Sequence, residues 1–402
     1  MQTPYGHLTY CTNIHAGETW ADHFDQLQRH IPNIKKKLSP DKPFGIGLRL
    51  ANAASLELRK EQNLGAFRLW LQDQNAYVFT MNGFPYGGFH HEQVKDRVHQ
   101  PDWTTAGRVS YTIRLAQILA ALLPPDMEGG ISTSPLSYRL WHDPEQWDKI
   151  FETATLNLLQ VVENLVQIKK TTGKSIHIDI EPEPDGLLES GPEFIAWYTD
   201  WLLPLGSAYL QEKFGYDPEQ AEETLKAHVQ LCYDVCHFAV GYEDHGSVIR
   251  QLQTLGIKTG KIQISAALKA DIPEDMVKRQ RVMDAFKAFD EPVYLHQVVA
   301  KQKGGRLKRY ADMPLALADA QQPSVAEWRA HYHVPIFLRD YGVLTSTQED
   351  IVKTLDIQRQ LPFTTHLEIE TYTWEVLPDE IKAPLDASIT REMQWVIGLL
   401  NH

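Results

Sequence analysis

The sequence predicts an α/β chain folded as a (β/α)8 barrel, with one long insertion between its seventh and eighth strands. Three observations lead there. Short apolar runs alternate with longer amphipathic stretches almost from end to end. Eight of those runs read as strands, and strands separated by helices imply a parallel sheet. Eight is also the number that closes such a sheet into a barrel. Finally, the chain has 402 residues, 43% of them hydrophobic, which is ample for one large core. A doubly wound sheet gives the same alternation and stays open as the alternative at this stage.

The strands are expected in order at HLTYCTNIH (from His7), FGIGLRLA (from Phe44), AYVFTMNGF (from Ala76) and GGISTSP (from Gly129). SIHIDIEP (from Ser175), QLCYDVCH (from Gln230), KIQISAAL (from Lys261) and THLEIETYTW (from Thr365) complete the set. Helical periodicity fills 21–38, 106–123, 145–172 and 348–360, and Gly173 stands where a helix C-cap is expected. The interval 265–365 is far longer than a βα unit requires. It holds two more strand-like pieces, VYLHQVVA (from Val293) and HYHVPIFLR (from His331). We expect a single barrel domain over 1–402, with 269–345 inserted at its C-terminal face. Loops at that face build active sites.

Formal net charge is −13. That excludes a dedicated nucleic-acid binder, which needs clustered Lys and Arg. The short basic runs, Lys35 to Lys37 and Lys301 to Arg309, read as a solvated helix end and a solvated loop. Cys11, Cys232 and Cys236 cannot make a disulfide framework, so a reducing compartment is expected. No signal-peptide pattern opens the chain, and no apolar run approaches the ~20 residues of a membrane span. The expectation is a soluble, cytoplasmic protein.

The chemistry begins at IHIDIEPEPDG, residues 176–186. Ile176, Ile178 and Ile180 alternate with His177, Asp179, Glu181 and Glu183. Acids are poor strand residues and are rarely buried alone, so that face meets either water or something positive. The next strands repeat the theme. The sixth ends in YDVCH with Asp234 and His237, the seventh carries Gln263, and the eighth carries Glu368 and Glu370. Four neighbouring strands thus deliver carboxylates, an amide and an imidazole to one rim. Such a set suits Mn²⁺ or Mg²⁺, and the imidazole shifts it toward Zn²⁺, Fe²⁺ or Co²⁺. His15 after strand one and Asn82 after strand three project to the same rim, and His90 lies in a glycine-rich loop placed to close over a polyol. Tyr372, Trp374 and Trp141 offer apolar walls. No P-loop, nucleophile elbow or dinucleotide fingerprint is present.

Seven stretches resemble the xylose isomerase-like barrels, the superfamily of sugar isomerases, ketose epimerases and endonuclease IV. They are TYCTNIHAGETW, NGFPYGGFH, DIEPEP, YDVCH, RYADMP, HYHVPIF and HLEIETYTW. Within it the chain looks most like the "metabolite traffic protein" EboE group. The resemblance implies a xylose isomerase-like TIM barrel with Glu181, Asp234 and Glu370 as metal ligands, Glu368 being second to Glu370. His237 would contact substrate or a second metal. Relatives offer His on the seventh strand, often followed two residues on by Asp, where this chain has Gln263 and Ser265. Gln263 is then the first choice for a fourth ligand, with His296 or His333 of the insertion replacing or joining it.

The expected function is a metal-dependent isomerase or epimerase of a sugar, sugar phosphate or polyol, working through a stabilised enediolate. Glu181 and Glu370 would move the proton while His237 orients a hydroxyl; a hydride shift is the variant. The resemblance leaves a homodimer open. Two other readings stand beside it: a non-catalytic metabolite-binding or partner protein, and a metal-dependent phosphodiesterase of the endonuclease IV type.

Overall fold

The computed structural model describes residues 1–88, 93–375, 377 and 384–401. Eight parallel strands form a barrel: β2 (Gly6–Tyr10), β3 (Phe44–Arg49), β4 (Ala76–Asn82), β5 (Gly129–Thr133), β6 (Ile176–Ile180), β7 (Val229–Asp234), β8 (Thr259–Ile264) and β15 (His366–Ile369). A two-residue β1 (Gln2–Thr3) turns back against β2. All eight expected strands are present in order, and the doubly wound alternative falls.

The barrel closes between β2 and β3 in an unusual way. One parallel bridge, Cys11 to Gly47, joins them. Threonine hydroxyls supply the remaining links: Gly47 N donates to Thr9 Oγ1 (3.0 Å), which donates to Gly45 O (2.9 Å), and Arg49 N donates to Thr12 Oγ1 (2.9 Å). The seam also requires Gly47 itself. A Cβ there would lie 2.0 Å from Glu368 Oε1, an impossible contact.

Helices sheathe the strands because their apolar stripes face inward. The longest, Trp147–Thr172, buries Ala154, Leu158, Leu159, Val162, Leu165 and Val166, a helical spacing. It ends at Gly173 with φ 73°, as the sequence suggests. Along β6 the residues sort by parity. Ile176, Ile178 and Ile180 join the apolar core, while His177 and Asp179 are buried with no such packing. The acids therefore face the barrel interior and not water. Asp179 is held by His177 (Nδ1 to Oδ1, 2.5 Å). The Lys261 ammonium pairs instead with Glu368.

Between β8 and β15 the chain builds a second, antiparallel sheet over residues 268–346, ordered β11-β10-β12-β9-β14-β13. Its strands are β9 (Leu268–Asp271), β10 (Val298–Gln302), β11 (Leu307–Tyr310), β12 (Val325–Ala330), β13 (Asp340–Tyr341) and β14 (Leu344–Ser346). Two sequence expectations are corrected here. The basic run at 301–309 is a hairpin, its turn falling on Gly304 and Gly305, and not a loop. HYHVPIFLR is irregular backbone; the strand precedes it at β12. His331 and His333 there bond to groups of the barrel rim in place of a β ladder. Among the described residues, no helix is long and apolar enough to cross a membrane.

Candidate metal centre

Glu181 directly follows β6, Asp234 ends β7 and Glu370 directly follows β15. Backbone bonds extend the sheet to both glutamates: Glu181 N donates to Thr133 O (3.0 Å) and Glu370 N to Ile264 O (3.1 Å). Strand parity then turns all three side chains inward. They are buried, and one oxygen from each lies within 4.8 Å of the others.

Their outer oxygens are anchored by neutral donors. Asp234 Oδ1 accepts from Ser265 Oγ (2.7 Å) and from His237 N (3.1 Å), capping the helix Val235–Val240. Glu370 Oε1 accepts from Asn13 Nδ2 and Asn82 Nδ2, both at 2.9 Å. Asp234 Oδ2 and Glu181 Oε2 have no hydrogen-bond partner among the described residues. Burial, then Glu370 and Asp234, pushes the Glu181 carboxyl well above the ordinary range. Burial, then Asp234 and Glu368, does the same to Glu370. Such groups must either keep protons or meet a cation.

Three imidazoles complete the rim. Each fixes Nδ1 on an oxygen that can only accept: His237 on Pro182 O (3.0 Å), His333 on Glu370 O (2.9 Å) and His331 on Gln297 Oε1 (2.8 Å). Gln297 Nε2 donates to Pro184 O (3.1 Å), which sets its amide orientation. All three rings therefore carry their proton on Nδ1 and turn an Nε2 lone pair inward. The Nε2 atoms of His237 and His331 stand 3.1 Å apart. In the neutral form neither has a proton to share. Burial and the neighbouring imidazoles hold both pKa values well below normal, so the neutral form prevails. A ring anchored through one nitrogen with the other free is the arrangement metal-ligating histidines adopt.

The set fits a divalent ion. Asp234, His237 and His333 also bring one ligand atom each within 4.8 Å, as do Glu183, His237 and His331. Oxygen ligands on one side and imidazole on the other accommodate Mn²⁺, Mg²⁺, Zn²⁺ or Co²⁺. Above lies a cleft that opens at the barrel's C-terminal end.

The other residues singled out by sequence fall in different places. Gln263 is fully buried, its Oε1 accepting from Cys232 Sγ (3.0 Å) below the rim. Glu368 is bound to Lys261 (2.7 Å), and both side chains are fully buried. His15 bonds Tyr10 and stacks on His30 at 4.5 Å, away from the cleft. His296 lies between Glu291 Oε1 (2.8 Å) and His331 O (3.0 Å), where it steadies the loop bearing His331. His90 lies outside the described residues. Tyr372 lines the cleft, Trp374 is buried beside Phe337, and Trp141 donates to Asp96. Sequence reasoning missed His331, Asn13 and Gln297. The spacing of His331 and His333 in HYH was the available signal for the first; nothing local marked the other two.

No protein-family model and no curated protein matches this chain. Among solved structures it is similar to an IolI protein described with a bound zinc atom: 10% identity, 98% of each chain, TM-score 0.49. An L-ribulose 3-epimerase shares 10% identity over 98% of this chain and 94% of its own, at 0.48. A xylose isomerase-like TIM barrel protein from Mycobacterium smegmatis, in complex with magnesium, shares 10% over 100% and 98%, at 0.49.

Proposed function

We propose that this protein is a metal-dependent isomerase or epimerase of a sugar or related polyol. The observation that carries the reading is the convergence of Glu181, Asp234 and Glu370 on one buried point with no Lys or Arg bonded to them among the described residues. Glu181, Asp234 and Glu370 would hold the ion, with His333 the imidazole best aimed to join them, its Nε2 being 3.9 Å from Asp234 Oδ2. When bound, a divalent cation supplies Lewis acidity to carbonyl and hydroxyl oxygens and stabilises the negative charge that develops on them.

The chain's own groups do the rest. Glu181 and Glu370 sit on strands separated by β7 and β8, so they approach a bound molecule from two sides. One removes the proton α to the carbonyl and the other returns it. Burial and the neighbouring acids raise both pKa values, which favours each carboxyl holding a proton as well as releasing one. His237, anchored through Nδ1, accepts a substrate hydroxyl at Nε2. The buried rim excludes bulk water, which protects the enediolate. Three free, buried cysteines agree with a reducing, cytoplasmic setting, and the sequence resemblance to the EboE group adds metabolite processing to the proposal.

The test is a screen of ketoses and aldoses with manganese-, magnesium-, zinc- and cobalt-loaded protein in D₂O. The expected result is an isomer or epimer carrying one solvent deuterium at the α-carbon, absent with Glu181→Gln. Product without deuterium would favour the hydride shift. No product from any sugar, with metal bound, would leave a binding role.

A further inference from the structure

The cleft above the rim has two unlike halves, and the upper half bears on the substrate. We propose that the substrate is an uncharged polyol carrying an apolar substituent, and not a phosphorylated sugar. This deepens the sugar reading above and rests on it.

The floor is polar, as described. The walls are not: Phe84, Val94 and Val98 come from the chain after β4, Tyr294 and Leu295 from the insertion, and Tyr372 from beyond β15. Val94 and Tyr294, with Val98, Val293 and Tyr372 against them, form a hydrophobic cluster separate from the barrel core. The wall is a built feature. Val94 N and Lys95 N both donate to Val293 O (2.8 and 3.0 Å), tying the barrel loop to the insertion. Tyr294 packs edge-on to Tyr372 at 5.0 Å. Val98, Leu295 and Tyr372 remain only partly covered, so apolar surface faces the cleft.

Charge argues the same way. The lining contains Glu181, Glu183 and Glu370, and its one lysine among the described residues, Lys95, is bound to Asp312 at 2.7 Å. No arginine lines the cleft among the described residues. Phosphate sites rely on Arg forks, free ammonium groups or exposed backbone N–H groups at a helix start. Here a phosphate would find Glu183, bonded to His99 at 2.9 Å, and no guanidinium or free ammonium among the described residues of the lining. Burying methylene groups against the walls would add affinity.

Titration calorimetry on the manganese-loaded full chain tests this with matched forms of D-fructose and D-xylulose. Each is offered with its terminal carbon bearing a free hydroxyl, a hexanoyl ester or a phosphate. The ester should bind at least about 10-fold more tightly than the parent sugar, and the phosphate more weakly. Leu295→Ser and Val98→Ser should each remove several-fold of the ester's advantage over the parent sugar while leaving manganese content unchanged. Tightest binding by the phosphate, or an ester no tighter than its parent, overturns the inference alone. If no form of either sugar binds while manganese is retained, the sugar reading itself falls and takes this with it.

Discussion

Two layers of the barrel interior carry acids two residues apart on the same strands, and they are treated in opposite ways. In the lower layer, Glu368 is bound to the Lys261 ammonium and Asp179 to the His177 ring. One step up, Glu370 and Glu181 face each other and Asp234, with amide, hydroxyl and backbone donors but no positive charge within the trio. Both layers are buried, so exposure does not separate them. Charge compensation does. A buried acid with a cationic partner is part of the scaffold, whereas a cluster of buried acids without one is built to receive something.

The sharpest way to break the comparison is in the lower layer. Lys261→Met leaves Glu368 buried and uncompensated, and should cost about 3–5 kcal/mol of stability, read from urea midpoints. Burial disfavours the Lys261 ammonium, but Glu368 outweighs it and keeps the lysine pKa above its ordinary value. The lysine therefore stays charged throughout the working pH range. Adding Glu368→Leu should recover most of the loss.

The upper layer should answer in the reverse sense. Glu181→Gln should lower metal affinity by about 100-fold or more, yet leave the metal-free protein as stable as before or more so. Removing one of three mutually repelling carboxyls relieves strain that only the ion offsets. A destabilised metal-free variant would mean that Glu181 is scaffold. Asn82→Ala, which strips one donor from Glu370, should weaken metal binding by about 10-fold, as loss of an outer partner does.

The smallest effect concerns pH. Burial raises the Glu392 carboxyl to about 8 from 4.5. It ties the insertion to the rim, accepting from Ile336 N (3.1 Å) and Thr371 Oγ1 (2.8 Å). Between those two values the folded chain keeps a proton that the unfolded chain has lost. Its contribution to stability therefore falls as pH rises from 4.5 to about 8. Glu392→Gln should flatten that slope, as urea midpoints at several pH values would show.

Much of this was legible in the sequence, for identifiable reasons. Strand parity and apolar alternation are local, so all eight barrel strands and the inward turn of Glu181, Asp234 and Glu370 follow from short windows. What depends on distant partners was hidden. Gln263 looks like a rim ligand by strand position, yet it pairs with Cys232 below. Glu368 and Glu370 share a face, and only the position of Lys261 across the sheet distinguishes their roles. His331 and His333 sit on irregular backbone whose course is set by contacts to Glu370, Gln297 and Thr373, none of them nearby in sequence. The strand order of the inserted sheet could not be read from sequence.

The central claim is that the upper acids hold a divalent ion. Elemental analysis of the purified protein beside its Asp234→Asn variant tests it most directly. The account predicts near one equivalent or more of metal, lost in the variant. No metal in either protein, even after reconstitution with manganese, magnesium, zinc and cobalt, would contradict it and return the upper layer to scaffold.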